Sequence, residues 1–174
     1  MDEPAPRPTR PILLVGMPGA GKSTIGSLLA AHLGLPFHDS DAMIEAGLGQ
    51  SVAEIFSRHG EACFRHEEKA LLADLMAGPP AVIAAGGGAF LDPETRALAA
   101  GRVVAVWLDA DLNIIEGRLR TTVDRPLLAS EGALDELKAA RDPLYALADL
   151  RVDASRRPDE AVAAIAAGLV ERAA

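Results

Sequence analysis

Ile12-Leu13-Leu14-Val15-Gly16-Met17-Pro18-Gly19-Ala20-Gly21-Lys22-Ser23 joins an apolar run directly to the pattern G-x-x-x-x-G-K-S. Four consecutive aliphatic residues read as a strand buried on both faces. The glycines that follow let the backbone curl until successive N–H groups face inward on phosphate oxygens. Lys22 can then reach the β- and γ-phosphates of a nucleotide, and the Ser23 hydroxyl can sit on Mg²⁺. Ser23–Leu33 reads as a helix whose positive end points at the same anion. A chance match of this P-loop pattern in a chain of 174 residues is on the order of 0.5 % from average composition. Gly19, Ala20, Gly21, Lys22, Ser23 and Thr24 are therefore the candidate nucleotide-binding residues.

Outward from this motif, further short apolar runs alternate with helical patterns. Strands are predicted at Ile12–Val15, Pro36–His38, Ala81–Ala85, Val103–Leu108 and Leu150–Val152. That alternation indicates an α/β chain with a parallel sheet and helices on both faces. The helices carry readable caps. Ser51-Val52-Ala53-Glu54 is a capping box, and Asp92-Pro93-Glu94 places an N-cap ahead of a proline at the first helical position. Asp111 can cap Leu112–Leu119, and Pro158-Asp159-Glu160 opens a helix with acids in its first turn. Arg120–Leu134 shows no period and is predicted to be a lid loop over the nucleotide.

Residues 1–10, with Pro4, Pro6 and Pro8, are expected to be a disordered tail, and 11–174 a single domain. The content of 49 % hydrophobic and 24 % charged residues is that of a globular chain. A net charge of −8 argues against nucleic acid or anionic membrane as partner. No apolar stretch is long enough for a membrane span. Cys63 is the lone cysteine, predicted buried and inert, and it fits a reducing compartment, so a cytoplasmic location is expected.

Ligands of open parallel sheets bind beyond the carboxyl ends of the strands. The second strand runs into Asp39-Ser40-Asp41, whose alternation would turn one carboxylate to metal and phosphates and the other to an acceptor. Asp41 could instead cap a helix Ala42–Ala46. The third ends in Gly86-Gly87-Gly88, where something must approach the backbone closely, a bound substrate or a tight turn. Arg65, Arg120, Arg125, Arg141 and the pair Arg156-Arg157 stand out in an acidic chain, and their forked guanidinium groups suit an anionic acceptor. Glu68, three residues after Arg65, could hold that side chain. Trp107 and Tyr145 read as isolated aromatics, which leaves no stacking platform for single-stranded nucleic acid.

In this order and spacing the motifs resemble the shikimate kinase family over nearly the whole chain. The residues carrying the likeness are Gly16–Ser23 with Thr24-Ile25-Gly26, Asp39-Ser40-Asp41, Ser51–Phe56, Gly60-Glu61 and Phe64-Arg65. Gly86-Gly87-Gly88, Arg125-Pro126-Leu127-Leu128 and Arg141-Asp142-Pro143-Leu144-Tyr145 complete it. The resemblance implies a three-layer α-β-α P-loop kinase of the nucleoside monophosphate kinase-like fold, with a five-stranded parallel sheet in order 2-3-1-4-5 and a mobile lid. It implies Mg²⁺-dependent transfer of the ATP γ-phosphoryl group to the 3-hydroxyl of shikimate by a monomeric enzyme.

By position, the resemblance makes Lys22, Asp41 and Arg125 the catalytic residues, with Asp41 on the shikimate hydroxyls and Arg125 reaching the γ-phosphate. Arg65 and Arg141 would clamp the shikimate carboxylate, and Gly86, Gly87 and Gly88 would meet substrate through their backbone. Ser23 would hold Mg²⁺ directly and Asp39 through water. Arg120 and Arg157 would lie near the adenine or its phosphates. Two departures are visible: Ser40 stands where threonine is usual, and Pro158 follows Arg157 at once. Other readings on the same fold are a gluconate-type or nucleoside monophosphate kinase, or a non-catalytic nucleotide-binding module.

Overall fold

The computed structural model describes residues 8–121 and 132–173. Five strands form one parallel sheet: β1 (Ile12–Val15), β2 (Phe37–Asp39), β3 (Val82–Ala84), β4 (Val104–Asp109) and β5 (Leu150–Asp153). Their spatial order is β2-β3-β1-β4-β5. β1 is central, with Leu13 registered between Ile83 of β3 and Ala105 of β4. All four of its side chains are buried, which is why this strand reads as an unbroken aliphatic run. At the edges the pattern relaxes: β2 is half-buried, and β5 buries only Val152 well.

The helices are α1 (Lys22–Leu33), α2 (Ser40–Leu48), α3 (Val52–His59), α4 (Glu61–Ala77), α5 (Pro93–Ala99), α6 (Leu112–Arg120), α7 (Ala133–Tyr145) and α8 (Pro158–Ala173). A short 3-10 turn, Ala89–Leu91, follows the glycine triplet. α1 packs on α8, while α4 packs on α5 and on α2 and α3. The main core runs through the sheet, and Ile44, Ile55 and Phe64 form a small second core under α2 to α4. No helix among the described residues is long and apolar enough to cross a membrane.

The expected capping box is present: Glu54 N–H donates to Ser51 Oγ at 3.2 Å, and Ser51 N–H donates to Glu54 Oε2 at 2.8 Å. Asp92 likewise caps α5, accepting from Glu94 N–H at 3.0 Å. Several expectations shift. Cys63 is only half-buried on α4. The aperiodic stretch is shorter than 120–134, because Arg120 closes α6 and 133–134 open α7. Of what remains, 122–131 lie outside the described residues, as do residues 1–7 of the expected tail. The last tail residues are tied down, with Arg10 donating to Gly101 O at 3.2 Å.

Because every strand runs the same way, the P-loop, Asp39, Gly86, Asp109 and Asp153 all gather at one edge of the sheet. Ser40, fully buried, pins two of these strand ends together by accepting from Gly86 N–H at 3.1 Å. Ser40→Ala leaves that N–H unmet and is expected to cost about 1–2 kcal/mol. Urea unfolding reads it as a lower midpoint at unchanged slope.

Candidate active site

At the end of β1 the chain turns through Gly19 and Gly21, both with positive φ; Gly21, at φ 95°, is the N-cap of α1. A side chain there would be strained, and its absence lets the first N–H groups of α1 face the cleft. Lys22 Nζ folds back and donates to Gly16 O at 2.8 Å and Met17 O at 2.9 Å, holding its charge over the loop. A cleft of about 340 Å³ opens in front, lined on the nucleotide side by Pro18, Gly19, Gly21, Lys22, Ser23 and Thr24. Ala20 lies beneath, fully buried.

Asp39 and Asp41 line the same cleft. They do not alternate along a strand as expected. Asp39 ends β2, and Asp41 lies in the first turn of α2, so both reach the same cleft. Asp39, not Asp41, caps the helix: its Oδ1 accepts from Ala42 N–H at 3.2 Å. Its Oδ2 meets the Ser23 hydroxyl. The Ser23 hydroxyl and the Asp39 carboxylate are hard oxygen donors of the type Mg²⁺ takes. Mg²⁺ keeps several waters and takes substrate phosphates rather than a full protein cage.

The glycine triplet is explained by its neighbours. A Cβ on Gly86 would lie 2.4 Å from Glu68 Oε1 and 2.7 Å from Asp41 Oδ1. On Gly87 it would strike the Pro18 ring at 2.9 Å, and on Gly88 it would lie 2.4 Å from Arg65 Nη2. None of the three has positive φ, so the requirement is space, not backbone conformation. The backbone is indeed closely approached, and the side chains that approach it belong to the site itself.

Arg65 is fixed in place. Its Nη1 donates to Glu68 Oε2 at 2.7 Å and its Nε to Glu61 Oε1 at 3.3 Å, and its guanidinium lies 5.3 Å from the Phe64 ring centroid. Glu68 is buried, which pushes its carboxyl up; the Arg65 guanidinium pulls it back and the Asp41 charge adds to the rise. Arg141 comes from α7 and reaches Gly87 O with Nη1 at 3.5 Å. Two arginines from distant elements thus converge on the glycine triplet, of which Gly87 lines the cleft and neither arginine does.

A family model described as shikimate kinase matches residues 18–170. The chain belongs to the shikimate kinase family. Among curated relatives, the shikimate kinase of Bradyrhizobium diazoefficiens is 47 % identical over 156 residues, 88 % of this chain and 75 % of that one. The shikimate kinase of Zymomonas mobilis is 46 % identical over 156 residues, covering 88 % and 89 %. Among solved structures, the Acinetobacter baumannii shikimate kinase in complex with shikimate superposes with a TM-score of 0.84 at 33 % identity, covering 96 % of this chain and 94 % of that one. The order β2-β3-β1-β4-β5 is the sheet order that the resemblance to shikimate kinases implied.

Three arginines are expected at the nucleotide of this shikimate kinase family member: Arg120, Arg125 and Arg157. Arg120 is exposed on α6 and pairs with Glu116 at 2.9 Å, away from the cleft. Two residues earlier on α6, Arg118 lines the cleft. Its Nη1 donates to Gly19 O at 3.2 Å and Ala20 O at 3.0 Å, and its Nη2 to Ala154 O at 3.2 Å, joining the P-loop to the segment after β5. Helical phase carried the signal: Ile115 and Leu119 mark the inward face of α6, where Arg118 lies three residues from Ile115. Arg157 is also exposed, paired with Asp159 ahead of α8, and does not line the cleft. Arg125 lies outside the described residues.

Proposed function

We propose that the chain carries out the reaction of its family, transferring the ATP γ-phosphoryl group to the 3-hydroxyl of shikimate to give shikimate 3-phosphate and ADP. The observation that carries this is a phosphate cradle and an acceptor end side by side. Lys22 and Ser23 line a cleft that Asp41 and Gly87 line as well, and Arg65 and Arg141 reach the glycine triplet around Gly87.

Phosphoryl transfer needs in-line positioning and compensation of charge on the transferring group. Lys22 and the N-terminal N–H groups of α1 bind the phosphates, and Arg118 braces the loop that presents them. Ser23 and Asp39 would hold Mg²⁺, which when bound neutralises charge on the phosphate oxygens. Arg125, from the lid, is assigned to the γ-phosphate by resemblance. Arg65 and Arg141 grip the carboxylate of shikimate, and Asp41 orients the attacking hydroxyl and takes its proton. The Gly86–Gly88 backbone lies beneath the acceptor. The proposal extends to a cytoplasmic monomer, for which the single cysteine suits a reducing compartment.

A coupled assay of ADP release tests the reading with shikimate, gluconate and nucleoside monophosphates in parallel. Release should depend on shikimate and stay at background with the others. Release driven by gluconate or a monophosphate instead would sink it. A sharper expectation follows from the glycine triplet. Gly88→Ala forces its methyl into the Arg65 guanidinium, which Glu68 and Glu61 hold from behind. The shikimate KM is expected to rise about tenfold or more, the loss of one charge-assisted contact, with the ATP KM unchanged.

A further inference from the structure

Tyr145 lies in the last turn of α7, fully buried, and its hydroxyl donates to the Gly87 carbonyl. The same carbonyl is approached by Arg141 Nη1 at 3.5 Å, four residues earlier on the same face of the helix. Two donors therefore share one oxygen at the acceptor end of the cleft. The phenol holds it closely, whereas the guanidinium stands at the far limit of hydrogen-bond range. Burial pushes the phenol up, against the Arg141 guanidinium, which opposes it by charge and by hydrogen bonding, and against the Arg65 charge. Both cations of the acceptor end thus lie near this hydroxyl.

We propose that Tyr145 is a positioning residue: by filling the Gly87 carbonyl, it leaves the Arg141 guanidinium available to the carboxylate of the acceptor. The inference rests on the reading that Arg141 grips that carboxylate. Without the phenol, the half-buried Gly87 carbonyl loses its close donor, and the Arg141 guanidinium, already 3.5 Å away, can close on it. A guanidinium drawn down onto the backbone is turned away from the anion. The rest of α7 has other anchors. Lys138, one turn before Arg141, bridges Asp109 at 2.9 Å and Asp142 at 2.6 Å. The Tyr145 ring packs on Trp107 with centroids 6.2 Å apart, so these aromatics are not isolated, and Phe in place of Tyr keeps that contact.

Steady-state kinetics with ATP and shikimate on Tyr145→Phe, Arg141→Ala and the double variant test this. Tyr145→Phe is expected to raise the shikimate KM about tenfold, with kcat and the ATP KM within about twofold. In the Arg141→Ala background the same change should add less than about twofold, because its route of action is gone. Trp107→Phe, which loosens the packing and keeps the hydroxyl, should lower Tm without moving the shikimate KM. An unchanged KM in Tyr145→Phe beside a raised one in Arg141→Ala overturns the inference alone. An unchanged KM in Arg141→Ala overturns the reading of Arg141 and the inference with it. Equal factors in both backgrounds, or a matching rise in Trp107→Phe, assign the effect to packing and overturn the inference.

Discussion

Lys22→Met should lower kcat by on the order of 10²–10³, the loss of one preorganised charge from the transferring phosphoryl group. Methionine keeps much of the length and none of the charge. The ammonium is held at 2.8 Å and 2.9 Å by two carbonyls of its own loop, so its position is set before any nucleotide arrives. Such a charge costs no reorganisation when the reaction occurs, which is what makes it worth so much. The ATP KM should move less than kcat, because the backbone N–H groups and the α1 terminus still bind the phosphates. Rapid-quench measurement of the first turnover separates the two. A kcat within about threefold of wild type would remove Lys22 from the chemistry and leave it only a binding role.

Asp41→Asn is expected to reduce kcat by roughly 10²–10⁴, the range of a positioned general base. The amide keeps the shape of the carboxylate, which matters because Gly86 leaves little room beside it. Stability should hold or rise: the Asp41 charge pushes Glu68 up, and removing it relieves a like-charge contact at a buried carboxyl. Loss of kcat with Tm unchanged or higher is therefore the expected pair of results. Loss of kcat through unfolding, or near-normal turnover, contradicts the assigned role.

The fold was largely legible because its central features are local. A parallel strand buried on both faces must be apolar throughout, and Ile12–Val15 is. Caps write themselves into three or four residues, as at Ser51 and Asp92. Strand edges slipped by a residue where pairing decides them: Asp39 belongs to β2 because it registers with Ala84, whereas Pro36 lends the ladder only its carbonyl. α7 is harder to see, since Pro143 interrupts its last turn.

The site was legible by residue type and less so by contact. Three glycines in a row announce a close approach, but the approaching groups come from α2, α4 and the P-loop, which no local pattern names. The choice between Arg118 and Arg120 turns on one step of helical phase, and two residues of rotation carry a guanidinium from the cleft to Glu116. Tyr145 reads as a lone aromatic until the chain brings Gly87 to it across 58 positions.

The central claim is that one cleft joins an ATP phosphate cradle to a hydroxylated carboxylic acid. Direct identification of the product tests it: purified protein with ATP, Mg²⁺ and shikimate, followed by mass spectrometry and phosphorus NMR. One shikimate 3-phosphate is expected for each ADP formed, and none when either substrate is absent. ATP bound without shikimate-dependent product, or phosphate placed on a different hydroxyl, would contradict it.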